Sequence, residues 1–218
     1  MARALKPAYW DEATRVLAKT DRVLRKLIRA HPDIHLRRRT DAFTTLARAI
    51  VGQQISVKAA ESIWQQFVAT VAPDVKARGR PRLDPLAVTA VRELALRQCG
   101  LSGRKVEYLR DLASHFASGR LDPKGWRKMD DEALIAALVE VKGIGRWTAE
   151  MFLMFHELRA DVLPVDDIGL QKAIALHYHN GERPTVKAMQ DLALAWRPYR
   201  SVATWYLWRS LDPIPVEY

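Results

Sequence analysis

Two adjacent carboxylates, Asp166 and Asp167, stand at the start of a predicted helix, directly after the rigid backbone around Pro164. The first amides of a helix have no partner within it, and the helix dipole is positive at that end. Both effects favour an anion, so a carboxylate placed there remains ionised. We expect one of the two side chains to cap the helix while the other faces outward as a fixed negative charge.

A turn with two glycines, Lys142-Gly143-Ile144-Gly145, precedes the carboxylates and joins two apolar helical patterns. Because glycine has no Cβ, such a turn exposes its backbone amides, and these amides open the next helix with the positive end of its dipole behind them. This arrangement binds a phosphate without reading sequence. Arg146 and Thr148, in the first turn of that helix, are candidate side-chain contacts. The alternative is an ordinary helix–helix turn without a ligand, which would be the better interpretation if Gly-x-Gly stood without the neighbouring motifs.

Composition indicates an acidic partner. The 35 lysines and arginines exceed the 25 acidic residues by enough to give a net charge of +10, which favours nucleic acid before membrane. The single cysteine, Cys99, allows no internal disulfide and no all-cysteine metal site. No N-terminal segment resembles a signal peptide, and no apolar run is long enough to span a bilayer. We expect a soluble intracellular protein that is not secreted.

Helical periodicity runs through nearly the whole chain, and no segment alternates with the period of a strand. The sequence therefore predicts an all-α fold. Thr20-Asp21 marks a break between the first two helices, and residues 86–98 form one helix that stops at Gly100. Other predicted helices begin at capping side chains, namely Ser56, Ser102, Asp130 and Thr185.

Together these motifs resemble the helix-hairpin-helix (HhH-GPD) DNA glycosylase superfamily, and within it the 3-methyladenine DNA glycosylase II type. The resemblance covers nearly the whole chain, with the hairpin at about residues 132–158. It runs through Asp41-Ala42-Phe43, Gly52-Gln53-Gln54-Ile55-Ser56, Gly100-Leu101-Ser102-Gly103-Arg104-Lys105 and Tyr199-Arg200-Ser201. It implies two helical lobes with the catalytic cleft between them: residues 1–42 with 166–218, and residues 43–165. Larger relatives carry an N-terminal β domain, which we expect this chain to lack.

The resemblance also implies which carboxylate is catalytic. When a damaged base leaves, positive charge develops on the deoxyribose, and a fixed carboxylate near C1′ stabilises it. The family pattern is Asp, two residues, an aliphatic residue, one residue and a basic residue. Asp167 satisfies this pattern with Leu170 and Lys172, whereas Asp166 would put Gly169 at the aliphatic position. We therefore predict that Asp167 is the catalytic residue.

Three further residues are assigned to the substrate pocket by the resemblance. Trp147 stands where bifunctional relatives carry a lysine nucleophile, so no Schiff base and no strand cleavage are expected. Trp208 aligns with a second pocket aromatic. Aromatic faces attract alkylated purines because these bases carry positive charge. Met151 replaces a tyrosine of the resembling enzyme, which leaves the substrate range open.

The family also places a side chain in the gap that a departing base leaves in the duplex. Gln54 falls at that position, and an amide can hydrogen-bond the orphaned base; Gln53 is the rival. Backbone carbonyls of the hairpin are implied to hold a monovalent cation, at Val139, Val141 and Ile144. No cofactor is required, and one cysteine cannot hold a four-iron cluster.

The sequence thus predicts a monofunctional DNA glycosylase that flips alkylated purines, such as 3-methyladenine and 7-methylguanine, out of double-stranded DNA and leaves an abasic site. We expect a monomer without a membrane partner, in the cytoplasm or nucleoid of a bacterium or the nucleus of a eukaryote. Two alternatives remain open: a non-catalytic helix-hairpin-helix module that only binds the DNA backbone, and a glycosylase for deaminated or etheno bases.

Overall fold

The computed structural model describes residues 6–37, 40–73 and 81–211, and within them all regular secondary structure is helical. The predicted all-α fold is confirmed. The helices are α1 (Trp10–Thr20), α2 (Arg22–Ala30), α3 (Ala42–Gly52), α4 (Val57–Val71), α5 (Pro85–Ala90), α6 (Glu93–Gln98), α7 (Gly103–Ala117), α8 (Asp131–Val139), α9 (Arg146–Phe155), α10 (Ile168–Tyr178), α11 (Val186–Ala193) and α12 (Arg200–Leu211), with short 3₁₀ turns at Trp126–Lys128 and Leu194–Trp196. None of the helices described is long and apolar enough to cross a membrane.

Capping side chains begin the helices where the sequence placed them. Ser56, Ser102, Asp130 and Thr185 each accept a hydrogen bond from the backbone N–H three residues further on. Each bond satisfies one of the amides that have no partner inside the helix. The four predicted caps are confirmed.

The single helix predicted over residues 86–98 is wrong. The chain forms α5 and α6 instead, with extended backbone at Val91 (ψ 134°) and Arg92 (ψ 144°) between them. The Arg110 guanidinium donates a hydrogen bond to the Val91 carbonyl at 2.7 Å, so the carbonyl released at the break has a partner from another helix. A tertiary contact has overridden the helical periodicity of this segment.

The chain divides into two compact units, which we call the terminal unit (Met1–Arg38 with Leu153–Tyr218) and the central unit (Arg39–Phe152). The sequence placed these boundaries after residues 42 and 165. Residues 153–165 belong to the terminal unit because their apolar side chains pack on its core: Phe155, Leu158, Leu163 and Val165.

The terminal unit packs α12 against α1, α2 and α10. Its core holds Leu17, Leu24, Ile174 and Trp196, each fully buried. In the central unit, α7 is the common neighbour of α3, α5 and α6, and its buried stripe includes Leu109 and Leu112. Each unit therefore has its own apolar core, which fixes the helices that carry the candidate functional residues.

The predicted break at Asp21 is confirmed, and Asp21 does more than end α1. Its Oδ1 accepts the N–H groups of Val23 and Leu24 at 2.8 and 3.0 Å and so caps α2. Its Oδ2 accepts the Tyr178 hydroxyl at 2.9 Å and the Trp196 indole N–H at 3.0 Å. Burial and the neighbouring Asp21 carboxylate raise the pKa of Tyr178. One carboxylate thus links the α1–α2 turn to two distant elements of the terminal unit.

Replacing Asp21 with alanine is expected to lower the free energy of unfolding by about 2–4 kcal/mol. The loss combines one helix cap with two donors left unsatisfied on Tyr178 and Trp196. Urea unfolding followed by circular dichroism measures it. Asp130→Ala is the matched control, because it removes a cap made only to the Ala133 N–H in an exposed position, and should cost about 1 kcal/mol. Equal losses in the two variants would contradict the linking role of Asp21.

Candidate active site and nucleic-acid interface

The two carboxylates before α10 differ in burial. The Asp167 side chain is buried, with 9% exposure, whereas Asp166 is exposed. The turn that places them is fixed by two hydrogen bonds: the Asp167 N–H donates to the Pro164 carbonyl at 3.0 Å, and the Gln171 side chain donates to the Val165 carbonyl at 2.8 Å. Asp167 is therefore the carboxylate that the fold holds in place.

Asp167 is also the N-cap of α10. Its Oδ1 accepts the Leu170 N–H at 2.6 Å and the Trp208 indole N–H at 2.8 Å. We expected the cap and the outward-facing anion to be different residues; instead, the residue predicted to be catalytic makes the cap. The two N–H donors and the positive end of α10 stabilise its negative charge and restrict its rotation.

Gly169 makes room for the indole that reaches Asp167. A Cβ at this position would lie 3.1 Å from Asp167 Oδ1 and 3.2 Å from the Cδ1 and Nε1 atoms of Trp208. Trp208 in turn stacks on Phe155, with ring centroids 5.9 Å apart and planes 10° apart. The contact between Trp208 and Asp167 was not predicted from the sequence. The glycine inside an otherwise apolar helical pattern was the one local indication of a close approach there.

The two hairpin glycines of the central unit have different surroundings. Gly143 has φ +80°, and a Cβ there would lie 2.1–2.6 Å from the ring of Tyr108, so the chain itself requires glycine. Gly145 is exposed, and a Cβ there would meet nothing within 4 Å. Its carbonyl accepts the Ala149 N–H at 3.0 Å and so begins α9. Open space thus adjoins the start of α9.

The turn between α3 and α4 contacts this hairpin. The Gln53 amide donates to the Gly143 carbonyl at 2.8 Å. The Lys105 ammonium donates to the carbonyls of Val51 and Gln53 at 2.7 and 2.8 Å, and burial lowers the pKa of Lys105. Gln54 is exposed and has left-handed backbone, with φ +58°. Of the two glutamines, the structure engages Gln53 within the protein and presents Gln54 to the outside.

The helix after the hairpin presents side chains with different partners. Arg146 pairs with Glu132 at 2.6 and 2.9 Å and with Glu150 at 3.0 Å, and these carboxylates raise its pKa, Glu132 most. A DNA contact by Arg146 therefore competes with two ion pairs. Thr148, in the same first turn, is half-buried.

Trp147 and Met151, both predicted to line the substrate pocket, lie four residues apart in α9 and so on one face of that helix. Trp147 is 38% exposed, and Met151 is half-buried. Trp147 is thus partly exposed on the central unit, and its role as a pocket wall stays a prediction.

The carbonyls predicted to hold a monovalent cation follow the C-terminal end of α8. Val139 is the last residue of that helix, and the Val141 carbonyl accepts the Ile144 N–H at 3.0 Å. A carbonyl has two lone pairs, so Val141 can make this bond and also contact a cation, which the negative end of the helix dipole favours. Within the described ranges no group of three or more His, Cys, Asp and Glu side chains is arranged to hold a metal ion.

Comparison with known proteins gives relatives of one kind. DNA-3-methyladenine glycosylase 1 of Schizosaccharomyces pombe is 31% identical over 171 residues, which are 78% of this chain and 72% of that protein. YfjP of Bacillus subtilis, provisionally named a DNA-3-methyladenine glycosylase, is also 31% identical over 171 residues, and the chain spans only 59% of its length.

Comparison with solved structures gives relatives of the same kind. A DNA-3-methyladenine glycosidase from Bacillus halodurans is 36% identical and superposes with a TM-score of 0.79, covering 92% of this chain and 89% of that one. The S. pombe 3-methyladenine DNA glycosylase in complex with abasic DNA is 28% identical, with a TM-score of 0.76 over 95% of this chain and 98% of that one.

The family model that matches residues 47–198 spans the α3–α4 turn, the hairpin and Asp167. On this match and on the relatives' similarity, the chain belongs to the HhH-GPD superfamily of base excision DNA repair proteins.

Proposed function

We propose that the protein is a monofunctional DNA glycosylase that removes alkylated purines, 3-methyladenine and 7-methylguanine, from double-stranded DNA. The observation that carries this proposal is Asp167, a 9% exposed carboxylate whose Oδ1 accepts the N–H groups of Leu170 and Trp208. The names of the S. pombe and B. halodurans relatives support the substrate class. Work on chromosomal DNA would place the protein in a bacterial cytoplasm or nucleoid, or in a nucleus.

The chemistry assigned to Asp167 is electrostatic. As the glycosidic bond breaks, its electron pair leaves with the base, and positive charge develops on the deoxyribose. The fixed carboxylate stabilises that charge, and it or solvent takes the proton from the water that bonds to C1′. An alkylated purine carries a positive charge and leaves as a neutral base, so the reaction needs no general acid.

The preference for cationic bases is assigned to the aromatic residues. Trp208 and Trp147 offer π faces, which attract a cation by about 0.5–2 kcal/mol. With Trp147 at the position of the lysine nucleophile, no covalent intermediate with the sugar can form there, and the DNA strand stays intact. Met151 stands where the resemblance to 3-methyladenine DNA glycosylase II implies a tyrosine, and this difference keeps etheno and deaminated bases as the second candidate substrates.

The DNA-binding role is assigned to the hairpin and the α3–α4 turn. The open space beside Gly145 matches the close approach of a phosphate to the first amides of α9. Gln54 is the proposed wedge because it is exposed, whereas the Gln53 amide donates to the Gly143 carbonyl. A monovalent cation on the carbonyls of the hairpin would add positive charge beside the bound phosphate.

A non-catalytic DNA-binding module is the rival function. Such a module needs the hairpin, and Asp167 would serve it only as the cap of α10, a role that serine or threonine fills without burying a charge. Asp167 therefore favours the enzyme.

A panel of lesions tests the substrate assignment. Free 3-methyladenine and 7-methylguanine should be released from methylated duplex DNA about tenfold or more faster than ethenoadenine or hypoxanthine from matched duplexes, because only the methylated bases are cationic. Chromatography measures the free base, and strands should break only after alkali treatment. DNA binding with no base released from any lesion would instead identify a binding module.

Asp167→Asn should lower the single-turnover rate of base release by about 10²–10³-fold, because the amide keeps an oxygen for the Leu170 N–H but carries no charge. Asp166→Asn is the matched control, because it makes the same change at the adjacent, exposed residue. It should alter the rate by about twofold at most. Affinity for undamaged duplex should be unchanged in both. Equal losses in the two variants would contradict the assignment of Asp167.

Trp208→Phe should lower kcat by about tenfold or more with little change in KM, because the ring can still stack on Phe155 but no longer holds the Asp167 carboxylate. Trp205→Phe makes the same change on the same helix, where the indole nitrogen has no hydrogen-bond partner among the described residues, and serves as the control. An unchanged kcat with a raised KM would show that Trp208 acts only as a wall of the pocket.

A further inference from the structure

Lys105 lies in an unfavourable place for a cation by local rules. It occupies the first turn of α7, where the helix dipole is positive, and burial lowers its pKa. Its ammonium nonetheless reaches the end of α3, a different helix, and donates to the carbonyls of Val51 and Gln53. The last carbonyls of a helix lack partners, and a cation there is favourable. The hydrogen bonds to the end of α3 therefore explain why a lysine occupies this position.

Gln53 connects the same turn to the hairpin. Its amide donates to the Gly143 carbonyl at 2.8 Å, and Gly143 packs under the ring of Tyr108 on α7. The Lys142 N–H donates to Asp111, also on α7, at 2.9 Å. Helix α7 thus supports both the α3–α4 turn and the phosphate-binding turn, and Gln53 joins the two turns directly.

Gln54 needs such support. A residue other than glycine in left-handed backbone costs about 1 kcal/mol, so this conformation persists only where its surroundings fix it. The residue before it is fixed at both its carbonyl, by Lys105, and its side chain, by Gly143. Exposed apolar side chains follow at Ile55 and Val57, 38% and 76% exposed.

We propose that Lys105 and Gln53 are positioning residues that hold Gln54 in the conformation in which it enters the duplex, at a fixed distance from the phosphate-binding hairpin. This inference rests on the proposed function, because it assumes that the enzyme flips a base and that Gln54 fills the gap. The proposal assigns both residues an action through the backbone of the α3–α4 turn, which they contact at the Gln53 carbonyl and side chain.

The test compares two duplexes that differ in the cost of flipping. In one, 7-methylguanine is paired with cytosine; in the other, it lies opposite an abasic-site analogue, where no partner base is orphaned and flipping costs less. Lys105→Met keeps the length of the side chain without its donors. It should slow release from the paired duplex about tenfold and from the unpaired lesion about twofold at most. Gln53→Met and Gln54→Gly should show the same preference.

The control variant is Arg104→Met, on the same turn of α7. Arg104 is exposed, so this variant removes one positive charge without removing the contacts to α3, and should change both rates by the same factor.

Gln54→Gly also removes the cost of the left-handed backbone, so the melting temperature of this variant should not fall. Fluorescence of 2-aminopurine beside the lesion, which reports unstacking without excision, should rise less on binding of Lys105→Met than of the unaltered protein.

Equal rates for Lys105→Met and the unaltered protein on the paired duplex would overturn the inference. So would equal slowing of Lys105→Met on both duplexes, which is the behaviour of a general folding defect. Absence of base release from either duplex by the unaltered protein is a different outcome: it would overturn the proposed function and the inference with it.

Discussion

A carboxylate beneath a protein surface needs hydrogen-bond donors to replace water, and Asp167 has them. One donor is local, the Leu170 N–H of the helix that Asp167 caps. A second comes from Trp208, 41 residues further along the chain, whose indole passes beside Gly169, where a Cβ would lie 3.2 Å from it. The carboxylate, the glycine and the indole therefore share one closely packed site. A Cβ at residue 169 would require the indole or the carboxylate to shift by a few tenths of an ångström.

The central unit follows a different principle, in which one helix supports several turns. Helix α7 packs against α3, α5 and α6 through its buried stripe, and its polar face holds the loops. Lys105, Tyr108 and Asp111 each contact a backbone group of a turn rather than a side chain. Backbone contacts fix the path of a loop whatever side chains it carries. The turns assigned to DNA binding are thus held by a helix that need not touch DNA.

The sequence predicted what is decided locally. The caps at Ser56, Ser102 and Asp130, the all-helical fold and the break at Asp21 follow from residue types a few positions apart. It failed at residues 86–98, where the Arg110 side chain captures the Val91 carbonyl at a break. Periodicity cannot reveal such a partner from another helix.

The candidate site shows the same division. Asp167 was predicted to be catalytic because its spacing to Leu170 and Lys172 fits the pattern of the resembling family, whereas its bond to Trp208 was not predicted. The bonds from Lys105 to the end of α3 join residues 52 and 54 positions apart, and no local pattern contains that information. The sequence shows Gly169 only as a glycine within a predicted helix, and Lys105 only as a cation near the positive end of one. At Gly169 and Lys105, the violation of a local preference coincides with a long-range contact.

The conformation of Gln54 bears on the energetics of base flipping. Extruding a base costs a few kcal/mol, which new contacts to the DNA must offset. A wedge ordered only on binding would add the loss of its own conformational entropy to that cost. A wedge that is already ordered loses its conformational entropy during folding instead of on binding. The apolar core of the central unit and the contacts of Lys105 and Gln53 compensate for that loss. Under the proposed role of Gln54 as the wedge, its left-handed backbone uses part of the free energy of folding to prepare the protein for the distorted duplex.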